Sequence, residues 1–442
     1  MIQLRHGQPS LWHSGLAKDI EDLWEPWMKE VDGLLEDAAL LEEVYQAQGK
    51  RRRHSRTRGR MQTPAEVALR LLILKHVRNW SYDELEREVR ANLVYRAFTR
   101  IGDQKVPDAK TLARLGQVIG PEVIRDLHER LVALAREHGV VSGRKLRVDT
   151  TVVETNIHYP TDSNLLGDGA RVLTRTMKRI EKRAGGLKKK IRDRMRTVKK
   201  RVVAIALAAR QVGPERDERH RRQYADLLTV TRRILNQAKG VLGEVEQLAR
   251  PRRRRLQPLT ERLATMADRV RQVMKQTRAR IFEGMSKPTE FGKLVEVREA
   301  ENQIITDYRV FAERPSDQEL LVPAVEEHQR RFGRVPRVVA ADAGFYWHAN
   351  EKKVQEMGVS WVAVPNRSTP SEERRKLQRR RWFRAAQKWR TGCEGRISVL
   401  KRRHGLNRCR YPGFSGMERW VGLGVIADNL IQIGTRLAVQ RA

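Results

Sequence analysis

The sequence has few cysteines, few acidic residues relative to basic ones, and no long apolar run. Its two cysteines, Cys393 and Cys409, have neither the spacing of zinc ligands nor the number needed for a disulfide framework. No apolar run reaches the length of a membrane span, and the N-terminus shows no signal-peptide core. These absences lead us to expect a protein of the reducing cytoplasm with no membrane partner.

Positive charge is what the sequence has in abundance. The 442 residues include 90 Lys and Arg against 54 Asp and Glu, which gives a net charge of +36. Such an excess indicates a polyanionic partner, and nucleic acid is the first expectation because neutralised phosphates release counterions. Basic runs at 50–60, 186–201, 250–255 and 374–384 spread this charge along the chain. We therefore expect a nucleoid-associated protein, with a membrane surface as the weaker alternative.

The first 140 residues have the apolar periodicity of helices. Residues 1–62 combine an acidic helical segment with a basic linker, and the acidic part is expected to pack either on the basic remainder or on another subunit. Residues 63–140 predict a compact set of short helices, with Asp108 placed to cap one of them. This pattern is compatible with a helix-turn-helix DNA-binding domain, although most small helical bundles contact no DNA.

From residue 145 onward the pattern changes to strands. Strands are predicted at 145–155, 293–299, 303–311, 337–343 and 359–365. Three strands followed by alternating helices and strands predict an α+β fold, a mixed five-stranded sheet flanked by helices. This is the element order of an RNase H-like core, and we assign residues 141–164 and 290–442 to that domain.

Residues 165–289 interrupt the predicted domain between its first and second strands. Their apolar residues recur at steps of three and four in three seams, broken near Gly213 and Pro251, which predicts three antiparallel helices of a bundle or coiled coil. The segment holds about 35 Lys and Arg against about 12 Asp and Glu. A solvent-exposed bundle face explains the periodicity but not the excess of positive over negative charge. Contact with a DNA backbone is therefore favoured.

One acidic residue stands out in the first strand. Asp149 lies in the stretch RVDTTVVETNI among residues typical of a half-buried strand. A strand-end Asp facing water is the plain interpretation, but Asp342 ends the fourth strand, which neighbours the first in this order. Two carboxylates that approach each other need a proton or a cation between them, and hard divalent ions are the usual solution.

A third acid is expected on the helix after the fifth strand. Glu394 lies there, with Arg390 four residues before it and Lys401 seven residues after it, all on one helical face. A surface ladder of ion pairs would show the same spacing and contribute little stability. In combination with the strand order, the interpretation of Glu394 as a metal ligand is favoured.

With these residues in place, the sequence resembles bacterial insertion-sequence transposases of the DDE type. The three acids match the three acids of that family. The family motif Tyr-x2-Arg-x3-Glu-x6-Lys is matched around Glu394, except that Gln387 stands where the tyrosine is expected. The segment 342–344 with the aromatic residues after it, and the stretches 148–162 and 82–98, are also similar to such transposases. The resemblance covers roughly residues 63–434.

The resemblance implies phosphoryl transfer on DNA with two divalent ions. These are Mg²⁺ ions, for which Mn²⁺ can substitute. It implies that the ions are held, with Asp149 between them, by the catalytic residues Asp149, Asp342 and Glu394. Contacts with DNA are expected from Arg390, Arg396, Lys401, Arg402, Arg403 and Trp347, the last by stacking on a base unless it packs in the core. The implied partners are the double-stranded terminal inverted repeats of the element, the target DNA, and further copies of the chain in a homodimer or larger assembly.

Three other functions stay open at this point. A domesticated transposase without catalysis, acting as a regulator, would have the same charge but would not need all three acids. An RNase H-like nuclease would share the metal ions, although the basic insertion and the motif around Glu394 favour a transposase. A structural nucleoid or coiled-coil protein would explain only residues 165–285.

Overall fold

The computed structural model of the chain describes residues 2–5, 20, 22–50, 62–155, 161–188, 190–210, 215–283 and 292–441. The chain divides into two units, of which the first combines residues 1–156 with 290–442 and the second is the insertion 157–289. Within the described residues, no helix is both long enough and apolar enough to cross a membrane.

The N-terminal part of the first unit is helical, as its periodicity predicts. Its helices are α1 (Pro26–Leu34), α2 (Ala38–Gly49), α3 (Ala65–Arg78), α4 (Tyr82–Ala91), α5 (Leu93–Phe98), α6 (Ala109–Val118) and α7 (Pro121–Glu137). Asp108 caps α6 by accepting a hydrogen bond from the amide of Thr111. The acidic helices α1 and α2 share one apolar core with α3 to α7, so this segment packs on its own chain.

The strands form one mixed sheet with the long first strand at its centre. They are β1 (Lys145–Glu154), β2 (Gly292–Glu299), β3 (Ile305–Val310), β4 (Val338–Ala340) and β5 (Trp361–Ala363). The order across the sheet is β3-β2-β1-β4-β5. β1 pairs antiparallel with β2 and parallel with β4, and β5 is parallel to β4. This topology confirms the predicted RNase H-like sheet.

The insertion forms the second unit and consists of long helices around their own apolar core. The helices are α8 (Asp162–Ala184), α9 (Met195–Arg210), α10 (Arg216–Glu246) and α11 (Arg250–Phe282). The prediction of three helices is wrong, because Gly185 ends α8 in the left-handed conformation, with φ of 76°, and so divides the first seam. Leu187 and Ile191, in the connection to α9, still pack on the core and continue the apolar pattern.

Helices cover both faces of the sheet. These are α12 (Leu321–Phe332), α13 (His348–Glu356), α14 (Glu372–Arg379), α15 (Arg381–Arg403) and α16 (Gly413–Arg441). Leu146 and Val148 of β1 pack with residues of α12 and α13. Val153 points to the other face and packs with residues of α15 and α16. Because side chains alternate along a strand, Asp149 lies on the same face as Val153 and is directed toward α15.

The longest apolar stretch of the sequence, 420–434, is part of α16, and its two buried polar residues have partners. Asn429 accepts a hydrogen bond from the amide of Ile305 at 2.9 Å and donates one to the carbonyl oxygen of the same residue at 2.8 Å. Asp428 lies 3.5 Å from the guanidinium of Arg396 and 3.4 Å from the imidazole of His404. The helix is therefore an interior element, which the N-terminal helices α1, α3 and α7 also contact.

Candidate active site

Two of the three acids lie at neighbouring ends of parallel strands. Arg147 of β1 is in register with Ala340 of β4, and Asp149 and Asp342 each lie two residues further along. Because paired strands run about 4.8 Å apart, the register directs both carboxylates to the same edge of the sheet. Asp342 lies just beyond the strand, where its side chain accepts a hydrogen bond from the amide of Gly344 at 2.8 Å.

Arg390 connects the third acid to the first. From α15 it donates a hydrogen bond to Glu394 Oε1 at 2.7 Å and another to Asp149 Oδ2 at 3.5 Å. The side chains of Arg390 and Asp149 are 11% and 13% exposed, whereas that of Glu394 is 61% exposed. The ion pair between Arg390 and Glu394 is therefore not an isolated surface pair, because Arg390 also bonds the buried carboxylate of Asp149.

Burial and neighbouring charges perturb the pKa of Asp149. Its pKa is raised to about 6, chiefly because the carboxyl group is buried. The amide of Thr150 and the guanidinium of Arg390 lower this pKa, and the charges of Asp342 and Glu394 raise it. The guanidinium of Arg390 thus does not offset the cost of burying the Asp149 carboxylate. Further positive charge beside this carboxylate would be favourable.

The three carboxylates provide the hard oxygen donors that divalent ions such as Mg²⁺ prefer. Among the residues that the structure describes, no three His, Cys, Asp or Glu side chains are grouped closely enough to hold an ion as they stand. Between Asp149 and Glu394 lies the guanidinium of Arg390. The donor set fits a divalent ion provided that Arg390 turns away, since Mg²⁺ typically takes only one or two protein carboxylates besides water and phosphate.

Asp317 is a fourth carboxylate beside these acids, and sequence reasoning missed it. Its Oδ1 accepts a hydrogen bond from the hydroxyl of Thr150 at 3.2 Å. A Cβ at Gly344 would lie 3.1 Å from Oδ2 of Asp317 and 3.1 Å from Oδ1 of Asp342, so glycine lets the two carboxylates approach. Asp317 lies in the first turn of a short 3₁₀ helix. Acidic residues are common in first turns, so no local signal marks it.

Gln387, which stands where the family has tyrosine, fastens α15 to the sheet. Its side-chain amide donates hydrogen bonds to the carbonyl oxygens of Ala341, at 3.1 Å, and Ala363. These carbonyls lie at the ends of β4 and β5, and Ala341 directly precedes Asp342. Gln387 thus fixes the position of the helix that carries Glu394 relative to the strand that leads to Asp342.

Removing this link should slow the DNA cleavage that the resemblance implies more than it weakens DNA binding. For Gln387→Ala we expect that cleavage to fall roughly tenfold to a hundredfold, because small displacements of catalytic groups are costly. Single-turnover cleavage at saturating protein and a DNA-binding titration would separate the two effects. Gln378→Ala is the matched control, since Gln378 of α14 also bonds two main-chain groups, both of Asn366. Equal losses in both variants would contradict this role of Gln387.

A buried ion pair lies beneath the same helix. The guanidinium of Arg147 pairs with Glu299, and their side chains are 4% and 0% exposed. Arg147 also donates to the carbonyl oxygen of Trp389 and lies 4.8 Å from the centre of its ring. A Cβ at Gly392 would come within 2.5 Å of Arg147 Nη1, so glycine permits the close approach of helix and strand. Arg147 therefore helps to hold the segment that precedes Glu394.

The residues predicted to contact DNA lie in different environments. Arg402 and Arg403 are exposed on α15, and Lys401 is partly buried. Trp347 is 54% exposed and directly precedes α13, so its ring is accessible for stacking on a base. The neighbouring Phe345 is buried in the core.

The predicted DNA contact of Arg396 is wrong. This residue is only 5% exposed, and its Nη1 lies 3.5 Å from Asp428 Oδ2 on α16. Two residues along a helix correspond to a rotation of about 200°, so Arg396 points away from the face of Glu394. Its charge compensates a buried aspartate rather than DNA phosphate.

Comparison with known proteins agrees with this architecture. A family model described as Transposase domain (DUF772) matches residues 26–117, and a second, described as Transposase DDE domain, matches residues 293–430. Together they cover just over half of the chain, and the second includes Asp342 and Glu394. No curated protein and no solved structure gives a match. DDE transposases generally use divalent metal ions. The chain belongs to the insertion-sequence transposases of the DDE type.

Proposed function

We propose that this transposase cleaves DNA at the ends of an insertion sequence and joins the freed ends to target DNA. Asp149, Asp342 and Glu394 are the catalytic residues in this proposal. The observation that supports it is the approach of the three carboxylates, through the register of β1 and β4 and the contacts of Arg390. A buried acid with a raised pKa beside other acids is typical of a functional site.

In this proposal Asp149, Asp342 and Glu394 would hold two Mg²⁺ or Mn²⁺ ions. Such ions would supply activation of a water or a DNA 3′-hydroxyl and charge stabilisation of the leaving 3′-oxygen. The protein's own residues bind and orient the phosphodiester, and no covalent link between protein and DNA is required.

Arg390 and Lys401 are proposed to bind the scissile or an adjacent phosphate. In the structure, Arg390 neutralises part of the charge of Asp149 and Glu394. A phosphate offers a guanidinium a bidentate, charge-assisted partner. When Arg390 moves to that partner, the oxygens of both carboxylates become available as ligands. Arg402, Arg403 and Trp347 are proposed to contact DNA further along the same region.

The remaining parts of the chain receive supporting roles in this proposal. We assign recognition of the terminal inverted repeats to the helices of residues 63–140, and catalysis to residues 141–164 and 290–442. Two further domains complete this proposed division of the chain. They are the acidic helical segment with its basic linker, residues 1–62, and the basic helical insertion, residues 165–289. We further propose that the transposase acts as a homodimer or larger assembly on paired DNA ends.

A cleavage assay on the element's own ends tests this proposal. With Mg²⁺ or Mn²⁺ and a duplex carrying the terminal inverted repeat, the wild type should nick at the repeat boundary. Asp342→Ala and Glu394→Ala should each lower nicking on the order of a thousandfold or more while binding the repeat like the wild type. Glu372→Ala, at an exposed glutamate of α14, is the matched control and should nick normally.

The possible failures of this assay have distinct meanings. Normal nicking by Asp342→Ala or Glu394→Ala would show that the affected acid is misassigned. Binding of the repeat without cleavage under any divalent ion would indicate a DNA-binding regulator. Cleavage that never leads to joining would indicate a nuclease.

A further inference from the structure

A groove of about 960 Å³ lies in the insertion, between the end of α10 and the start of α11. One wall comes from α10 and includes Leu242, Val245 and Glu246. The other comes from α11 and includes Arg250, Arg253 and Arg254, at the spacing of one helical face. We call this cleft the arginine groove.

The charges around the arginine groove have no partner among the residues that the structure describes. Arg250 and the run 252–255 are exposed, and within the described part of the chain none of their side chains makes a hydrogen bond or an ion pair. Glu246 is the single carboxylate among the described residues that line the groove. Four arginines of the lining, 250 and 253–255, therefore face one acid.

Three exposed arginines elsewhere in the insertion are paired with acids three or four residues away. Arg171 lies 2.8 Å from Asp168, and Arg219 lies 2.6 Å from Glu215. Arg271 pairs with Asp268 in the same manner. The groove differs from these three positions, because four arginines line one cleft with a single acid among its described residues.

The position of these arginines is also unfavourable for the helix that carries them. The N-terminus of a helix has a partial positive charge, which acidic residues stabilise and cations destabilise. The first turn of α11 contains no acidic residue, and Pro251 occupies one of its first positions. Like charges three and four residues apart also repel each other. The charge of this cluster is therefore unfavourable for the helix, as is expected of a site that binds something negatively charged.

We infer that the arginine groove binds the sugar-phosphate backbone of duplex DNA. Charge complementarity identifies the partner, because guanidinium groups in a row suit a polymer with regularly spaced phosphates. Contacts of this kind position a protein on DNA without reading its sequence. The inference rests on the DNA-binding part of the proposed function but not on the catalytic assignment of the carboxylates.

The salt dependence of DNA binding tests this inference in the full-length protein. The groove variant Arg250→Gln/Arg253→Gln/Arg254→Gln is compared with the wild type on a mixed-sequence duplex of about 40 base pairs, long enough to cover an interface of this kind. The affinity is measured at several salt concentrations. Each lost phosphate contact lowers the slope of log K against log salt by about 0.9, so the groove variant should lose roughly 2 to 3 units of slope. Its affinity at about 0.1 M salt should fall on the order of a hundredfold.

Two matched variants make the result specific. Arg171→Gln/Arg219→Gln/Arg271→Gln removes the same charge from paired positions of the same unit and should change the slope by less than about one unit. Arg250→Lys/Arg253→Lys/Arg254→Lys keeps the charge and should keep most of the slope. Thermal unfolding should show the groove variant to be as stable as the wild type, since its substitutions relieve repulsion at a helix start.

Two results would overturn the inference while leaving the proposed function intact. One is an equal loss of slope in the groove variant and in the variant of paired arginines. The other is an unchanged slope accompanied by a change in oligomer mass, which would identify the groove as a contact between copies of the chain. Absence of DNA binding by the wild type would instead refute the proposed function itself.

Discussion

Asp149→Asn is expected to abolish DNA cleavage and to make the folded protein more stable at the same time. The pKa of Asp149 is raised from 3.8 to about 6, mainly by burial. At neutral pH, folding therefore buries the charged carboxylate at a position that favours the protonated form. A shift of this size corresponds to roughly 2–3 kcal/mol, which asparagine removes. Chemical denaturation at pH 8 should therefore show a free energy of unfolding higher by about that amount.

The pH dependence of this gain follows from the direction of the shift. The folded state binds the proton of Asp149 more tightly than the unfolded state, so this group lowers stability as pH rises from about 4 to about 6. Above that range both states are ionised and the cost is constant. The advantage of the variant should grow between about pH 4 and about pH 6 and then level off. Asp126→Asn, at an exposed position of α7, is the control and should show no such growth.

Either of two results would contradict this account of Asp149. Cleavage by Asp149→Asn at the wild-type rate would remove the residue from the catalytic set. A variant less stable than the wild type at pH 8 would show that Arg390 and the Thr150 amide more than compensate the buried charge.

Arg147→Met is expected to destabilise the first unit by about 3–5 kcal/mol, because it leaves the carboxylate of Glu299 buried without its ion-pair partner. Burial already raises the pKa of Glu299 in spite of the neighbouring guanidinium, and loss of that guanidinium should raise it further. Denaturant unfolding of the wild type and the variant measures the loss. Cleavage should fall as well, because Arg147 also bonds the main chain of α15 at Trp389.

The double variant Arg147→Met/Glu299→Leu separates these two effects. Replacing both partners by apolar residues of similar size should restore most of the stability, since no uncompensated charge is left. Cleavage should stay low, because α15 still lacks its contact with Arg147. A double variant as unstable as the single one would show that the loss comes from packing and not from a buried charge.

The arrangement of the sheet could be predicted from the sequence because its signals are local. Each strand has its own apolar pattern, and the order of strands and helices determines that β1 and β4 are neighbours. The approach of Asp149 and Asp342 follows from that order. The position of Glu394 needed only the spacing on one helix and the match to the family motif.

What could not be predicted depends on contacts between distant parts of the chain. The link from Gln387 to Ala341 and Ala363 joins a helix to two strand ends. The burial of Arg396 depends on Asp428, which belongs to a different helix. No spacing rule relates such partners, because tertiary packing brings them together. The end of α8 at Gly185 was missed for another reason, since the apolar residues of the connection continue the helical period.

Oxidative mapping with iron tests most directly whether the three acids bind the same ions. Fe²⁺ substituted for Mg²⁺ in the complex with DNA, with ascorbate and peroxide, generates hydroxyl radicals that cut the polypeptide next to a bound ion. Mass spectrometry of the fragments should show cuts near Asp149, Asp342 and Glu394 together, all suppressed by excess Mg²⁺. Cuts near only one of these residues, or at unrelated positions, would contradict a shared metal site.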